Sequence, residues 1–162
     1  MVNERMPPPQ QRCLHCGKLF TAQQHHFYCP DCSDEQLPRE RARVQTQLLR
    51  AASKGLPATL TLEAWLQTVA DFNGLCAYCQ VRKFEHLEHF IPVDAGGGTT
   101  VDNCIPACGK CNWSKGADDP DLPQMEFFVN DPRERVRNYL AARADEADAA
   151  DTSEIDLLDW FD

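Results

Sequence analysis

One stretch decides the fold of this chain, residues 76–116, which read CAYCQVRKFEHLEHFIPVDAGGGTTVDNCIPACGKCNWSKG. A CxxC pair lies near each end, and 28 residues (80–107) separate the two pairs. Four thiolates arranged in this way can converge on one Zn²⁺. Because the separation is long for a simple zinc ribbon, we expect an additional structural element between the pairs.

The inserted segment carries residues suited to phosphodiester hydrolysis. Glu88 and His89 precede Pro92, a glycine-rich turn leads to Asn103, and Asn112 directly follows the last cysteine. A histidine with an ordinary pKa near ~6.5 can act as a general base at neutral pH. Carboxylate and amide oxygens suit a hard cation such as Mg²⁺. An activated water and positive charge at the phosphate are what this reaction needs.

From about Leu60 to Gly116 the sequence resembles the HNH endonuclease family in some dozen positions held in register. The resemblance implies a ββα-metal, treble-clef-like domain, in which a hairpin and a helix hold one catalytic Mg²⁺ or Mn²⁺. It implies a structural zinc on Cys76, Cys79, Cys108 and Cys111, and it assigns the other positions as follows: catalytic His89 and Asn103, catalytic-metal ligands Glu88 and Asn112, and phosphate-binding Lys115.

Two features bear on the register of this match. The acidic position is Glu88, where aspartate is more usual in the family. The resemblance therefore does not fix the distance from this carboxylate to the catalytic metal ion. Glu85-His86 offers a rival acidic-histidine pair, but only His89 has a proline at the spacing of the family. We therefore expect His86 to be a surface residue or a supporting one.

A second set of cysteines precedes this domain. Cys13, Cys16, Cys29 and Cys32 form two CxxC pairs, and the segment resembles the small zinc knuckles found in front of HNH domains. It is expected to hold a second structural Zn²⁺. Whether it contacts DNA or packs on its neighbours is open. His25 and His26 are alternative ligands, although surface positions suit them better. The ninth cysteine, Cys104, is expected to be a small buried hydrophobe.

The predicted fold is small α+β. A disordered segment (1–12) precedes the N-terminal zinc module (13–36), a basic helical linker (37–57), the HNH domain (58–122), a C-terminal helix (123–143) and a disordered acidic tail (144–162). Thr61 is the expected cap of an amphipathic helix with Trp65 in its core face, and Asp131 the cap of the last helix. The basic linker is either a solvated connector or a contact for the DNA backbone.

The net charge of −9 is unevenly distributed along the chain. Residues 144–162 hold eight of the 25 acids and no base, which leaves 17 acids and 16 bases, a net of −1, over residues 1–143. The acidic balance therefore does not exclude a nucleic-acid partner. Phosphate must be bound by local cations, such as Lys110, Lys115 and the basic linker. We expect weak non-specific affinity and a marked dependence on divalent metal.

The sequence predicts an HNH endonuclease that cleaves DNA, with RNA left open as a substrate. The alternative is a non-catalytic zinc protein that binds nucleic acid or protein, or an accessory subunit of a nuclease, phage packaging or replication complex. In that alternative the acidic, aromatic tail 154–162 would bind a protein partner. No apolar run is long enough for a membrane span, and the polar, proline-rich start predicts no signal peptide. A cytoplasmic location in a bacterial or phage-infected cell is expected.

Overall fold

The computed structural model describes residues 10–21, 27–115 and 131–155. Its elements are, in chain order, β1 (Gln10–Arg12), β2 (Leu19–Thr21), α1 (Pro30–Ser53), α2 (Leu62–Asp71), β3 (His86–His89), β4 (Cys104–Ala107), α3 (Gly109–Lys115) and α4 (Pro132–Ile155). β1 pairs with β2 and β3 with β4, both antiparallel. This architecture confirms the predicted small α+β class. Of the helices in the described ranges, none has the length and apolar content needed to cross a membrane.

The N-terminal zinc module starts with a strand that the sequence did not predict. β1 falls inside residues 1–12, which were expected to be disordered, and this expectation is wrong for Gln10–Arg12. The turn after it is closed by a hydrogen bond from Cys13 N to Lys18 O, 2.9 Å, with Gly17 at φ +75°. The turn brings β2 back beside β1, so the backbone N–H and C=O groups of the two strands can hydrogen-bond to each other. Residues 1–9, His25 and His26 lie outside the described part of the chain.

Helix α1 does more than link two domains. It begins at Pro30, directly after Cys29, where a proline fits the first helical turn. The buried carboxylate of Glu40 on this helix accepts a hydrogen bond from Trp65 Nε1 on α2 at 2.7 Å. Trp65 is fully buried, as predicted for a core residue. The predicted linker is therefore packed into the body of the protein along one face.

Helix α2 follows the sequence prediction closely. Thr61 Oγ1 accepts a hydrogen bond from Ala64 N at 3.1 Å, so Thr61 is the N-cap. The chain leaves the helix through Gly74, whose φ is +71°. A Cβ there would lie 3.0 Å from Leu14 O, so a side chain would also crowd the N-terminal module.

The hairpin formed by β3 and β4 is shorter than the sequence indicates. The sequence indicates a β-like run over residues 83–93, but β3 covers only His86–His89. The sequence also indicates a short helix from Ile105 to Gly116, but β4 occupies Cys104–Ala107. All four β4 residues are buried and pair with β3, so these positions form the second strand of the hairpin and the helix starts only at Gly109.

Two hydrophobic clusters lie on either side of the hairpin. The first joins the N-terminal module to α1, α2 and the hairpin; its buried members include Cys13, Tyr28, Val44, Trp65 and Leu87. The second surrounds the cysteines of the hairpin and includes Cys76, Tyr78, Ile105, Cys108 and Val136. Each group of four paired cysteines thus contributes to one of the two hydrophobic clusters.

Helix α4 belongs to the second cluster. Asp131 Oδ1 accepts a hydrogen bond from Arg133 N at 2.9 Å, which confirms the predicted start. Val136 and Leu140 are buried, as expected. Arg135 donates hydrogen bonds to the carbonyl oxygens of Ala77 and Tyr78 at 2.8 and 2.7 Å. The helix therefore braces the turn between Cys76 and Cys79.

The same helix runs beyond the boundary drawn from the sequence. It was expected to end at residue 143 and to be followed by a disordered tail (144–162), but the backbone is helical to Ile155. Alanine occupies positions 141, 142, 144, 147, 149 and 150, and alanine has the highest helix propensity. Propensity thus outweighs the acidic charge over this segment. The rest of the tail, residues 156–162, lies outside the described part of the chain.

We expect Val136→Ala to destabilise the protein by about 2 kcal/mol, because it removes two buried carbon atoms and leaves a cavity beside the hairpin. Urea unfolding of the full chain measures this change. Asn138→Ala, at an exposed position of the same helix, is the matched control and should lie within about 0.5 kcal/mol of wild type. Equal stabilities for the two variants would show that α4 does not pack on the hairpin in solution.

Candidate active site

The eight paired cysteines form two compact sites. Within each set of four, the sulfur atoms lie within 4.8 Å of one another. The Cys16 and Cys29 sulfurs are 3.7 Å apart, close to the ~3.8 Å that a tetrahedral Zn²⁺ with ~2.3 Å bonds imposes. Two Cys₄ sets of this geometry could each hold one zinc ion. Cys104 belongs to neither set; its burial is complete and raises the pKa of its thiol to about 12.

The hairpin and α3 converge on one open pocket of about 270 Å³. Glu88 and His89 reach it from β3, and Asn112 and Lys115 reach it from α3. α3 is fixed at its start, where Glu85 Oε2 accepts a hydrogen bond from Gly109 N. The pocket is lined by Gln47, Arg50, His86, Leu87, Glu88, His89, Pro92, Val93, Asp94, Asn112 and Lys115.

The ring of His89 is held by a relay to helix α1. His89 Nε2 lies 2.8 Å from Thr99 Oγ1, and Thr99 Oγ1 donates to the carbonyl oxygen of Gln47 at 2.9 Å. The threonine hydroxyl has one hydrogen, so it must accept from His89 Nε2–H. The neutral ring therefore carries its proton on Nε2 and presents Nδ1 as a proton acceptor. Burial, with Arg50 and Lys115 nearby, lowers the pKa of His89 to about 4 and keeps the ring neutral.

Asn103 fastens the loop that follows the histidine. Its Oδ1 accepts from Ile91 N at 2.8 Å, and its Nδ2 donates to Ile91 O at 3.0 Å and to Gly98 O at 2.8 Å. A Cβ on Gly97 would lie 1.8 Å from Ile91 O, so this turn accepts only glycine at that position. Asn103 thus ties both ends of the glycine-rich turn together, directly after His89.

The carboxylate of Glu88 is buried, and only one of its two oxygens has a partner. Its Oε1 pairs with Lys115 Nζ at 2.7 Å, whereas Oε2 is buried and has no hydrogen-bond partner. Burial raises the pKa of Glu88, and the Lys115 ammonium opposes this shift. An unpaired buried carboxylate oxygen is costly, and it is the kind of ligand that Mg²⁺ or Mn²⁺ prefers. This oxygen, with Asn112 on the same pocket, fits a divalent cation.

Lys115 is buried where the sequence suggested a phosphate contact. Only 5% of its surface is exposed, and besides Glu88 it donates to His89 O at 3.1 Å. Its ammonium therefore ties α3 to the end of β3. Arg50 also lines the pocket; its side chain is about half exposed and lies 3.5 Å from Asp94.

Reasoning from the sequence missed two residues of this site, Gln47 and Thr99, and it named the basic linker that carries Arg50 as a phosphate contact without placing it beside His89. Gln47 and Arg50 lie on the basic helix, and nothing local places them beside a histidine some forty positions later. Thr99 follows the glycine-rich turn, where a hydroxyl could have been singled out as a partner for His89. Of the rival pair, Glu85 caps α3 and His86 is exposed at the rim of the pocket.

Comparison with known proteins supports the interpretation of this region. Over 75 residues the chain is 37% identical to the Septu protein PtuB of Bacillus thuringiensis, covering 41% of this chain and 29% of that protein. Over 62 residues it is 34% identical to YoqL, named as an SPbeta prophage-derived HNH endonuclease candidate of Bacillus subtilis strain 168, covering 32% and 27%.

The matched segments thus span less than a third of either relative. No solved structure matches the chain significantly. The family model for HNH endonuclease matches residues 76–118, which contain the hairpin, both CxxC pairs and α3. The resemblance seen in the sequence is thus confirmed over this segment.

Proposed function

We propose that the protein is a divalent-metal-dependent endonuclease that hydrolyses phosphodiester bonds in DNA, with His89 as the general base. The observation that carries this proposal is the relay from His89 Nε2 through Thr99 to Gln47 O, because it leaves Nδ1 free to take a proton. The lowered pKa keeps the ring in its basic form at neutral pH.

In this mechanism His89 Nδ1 removes a proton from a water that attacks the phosphorus atom, while the ester bond from phosphorus to the leaving oxygen breaks and that oxygen takes a proton from solvent. The proton stays on Nδ1 while Nε2–H remains bonded to Thr99, so the imidazolium formed is held in one orientation. Asn103 keeps the loop after His89 closed and thereby fixes the base relative to the pocket. In this scheme Asn103 is a positioning residue.

Glu88 and Asn112 would hold the catalytic Mg²⁺ or Mn²⁺. A bound divalent cation supplies positive charge to the phosphate and to the leaving oxygen. Lys115 keeps Glu88 ionised and oriented through Oε1, which leaves Oε2 available as a ligand. We also propose that Arg50 binds a phosphate oxygen at the mouth of the pocket, the role that the sequence assigned to Lys115.

The direct test is a cleavage assay on supercoiled plasmid, linear duplex, single-stranded DNA and RNA. We expect nicked or cut DNA with Mg²⁺ or Mn²⁺ and none after a chelator that leaves the zinc content unchanged. If only RNA were cleaved, the substrate would be RNA and the assignment of DNA would be wrong. Absence of metal-dependent product on every substrate would reject the nuclease proposal.

A non-catalytic binding protein is the second candidate, and one contact favours it. The buried Lys115 ammonium already neutralises the charge of the Glu88 carboxylate without any metal. A domain that uses this pair only for stability would bind nucleic acid equally well with and without divalent cation. Filter binding in the two conditions, run beside the cleavage assay, separates the candidates.

Thr99→Val should lower the cleavage rate about tenfold to a hundredfold, the range found when the residue that orients a histidine is lost. Valine has the shape of threonine but cannot accept from Nε2–H, so the ring loses its fixed tautomer. Thr99→Ser retains the hydroxyl and should stay near the wild-type rate. Single-turnover rates at saturating substrate measure the effect. If valine and serine behave alike, the relay has no role in the reaction.

A further inference from the structure

The most exposed large apolar side chain in the described part of the protein is Trp113, with 86% of its surface open to solvent. Tryptophan is highly buried in most proteins, as Trp65 is here, so this exposure is unusual. Trp113 lies on α3, between Asn112 and the buried Lys115. The molecule thus displays an indole ring on the helix that lines its candidate active site.

The backbone that carries Trp113 is fixed at several points. Cys108 and Cys111 hold α3 to one Cys₄ set, and Glu85 caps its first residue. At the other end Lys115 pairs with Glu88 at 2.7 Å. Because the helix is anchored on both sides of Trp113, the ring cannot be buried by a shift of the helix. Within the described residues, these anchors keep the ring at the surface.

The surroundings of Trp113 favour a nucleic-acid strand as its partner. Asn112 lines the pocket, and the next Cα along the chain is only about 3.8 Å away. Lys110 is exposed three residues earlier, one turn along the same face of α3. A solvent-exposed aromatic ring with a cation on the same helix face is an arrangement that binds unpaired bases by stacking.

We propose that Trp113 stacks on an unpaired base of the strand whose phosphate occupies the pocket, so that the preferred ligand is single-stranded or locally unpaired nucleic acid. The position of the strand rests on the proposed nuclease function. The stacking itself is inferred from the solvent exposure of Trp113, from the anchored helix that carries it and from the nearby Lys110. Bases inside a duplex are already stacked and offer no free face to the indole, whereas an unpaired base does.

The test uses the full-length, zinc-loaded protein carrying His89→Ala, which prevents cleavage during titration, and Trp160→Phe, which leaves Trp65 and Trp113 as the only indoles. Trp65 is fully buried, so a change in tryptophan emission on adding oligothymidylate reports on Trp113. We expect single strands to quench this emission. Trp113→Ala should weaken single-strand binding by about 5- to 150-fold, the effect of losing one stacked base.

Two further variants make the result specific. Trp113→Phe retains an aromatic face and should recover most of the affinity. Leu19→Ala removes an apolar side chain that is 53% exposed in the N-terminal sheet and should change nothing. Equal losses for single strands and duplex, or no quenching and unchanged affinity in Trp113→Ala, would overturn the proposal. Quenching by single strands without any metal-dependent cleavage by the wild type would reject the nuclease and leave the stacking contact standing.

Discussion

Replacing His89 with alanine is expected to lower the rate of phosphodiester cleavage by about 10²–10⁴-fold, the contribution of a positioned general base. The side chain is removed from a pocket whose other histidine among the described residues, His86, lies exposed at the rim. Substrate binding should change little, because the ring faces the attacking water in this mechanism. The measurement is a single-turnover rate with Mg²⁺ or Mn²⁺.

The matched control is His86→Ala. His86 belongs to the rival register, lines the rim of the same pocket and is exposed, so it tests whether any histidine there suffices. We expect this variant to retain most of the activity. Loss of cleavage in His86→Ala with retention in His89→Ala would reverse the assignment. Zinc content and the circular dichroism spectrum should be unchanged in both variants, which separates chemistry from folding.

Cys108→Ser is expected to unfold the HNH region and to abolish cleavage. Apparent binding free energies of structural zinc are about 10–16 kcal/mol, which matches or exceeds the ~5–15 kcal/mol stability of a typical domain. Cys108 is also a buried member of the second hydrophobic cluster, so the strand before it and the helix after it lose their anchor together. Native mass spectrometry should show one zinc per chain in place of two.

Two other cysteine variants serve as comparisons for Cys108→Ser. Cys104→Ala alters a buried thiol that belongs to neither Cys₄ set, and it should keep both zinc ions. Cys13→Ser should lose the N-terminal zinc and loosen the first hydrophobic cluster, which it shares with Trp65. A shift in the emission of Trp65 would report that loosening. Two zinc ions in Cys108→Ser would refute the assignment of this cysteine as a ligand.

Local patterns in the sequence predicted much of the fold. The capped start of α2 at Thr61 and the Asp131–Pro132 start of α4 were found because capping depends on residues a few positions apart. The strand at Cys104–Ala107 was missed because a short buried run has no distinguishing periodicity. β1 was missed for a similar reason: its three residues gain order only by pairing with β2.

The sequence by itself determined the chemistry available to this protein. Cysteine pairs, an adjacent Glu88 and His89, and Asn112 directly after a cysteine are recognisable because ligands and catalytic groups recur at short, fixed spacings. The tertiary structure decided how those groups are arranged. It placed Thr99 against Gln47 O, 52 positions away, so Nδ1 of His89 became the free nitrogen. It also turned Lys115 inward to Glu88 and left Trp113 outside. Such contacts join residues far apart in the chain, and burial and hydrogen bonding select them only when the whole core has formed.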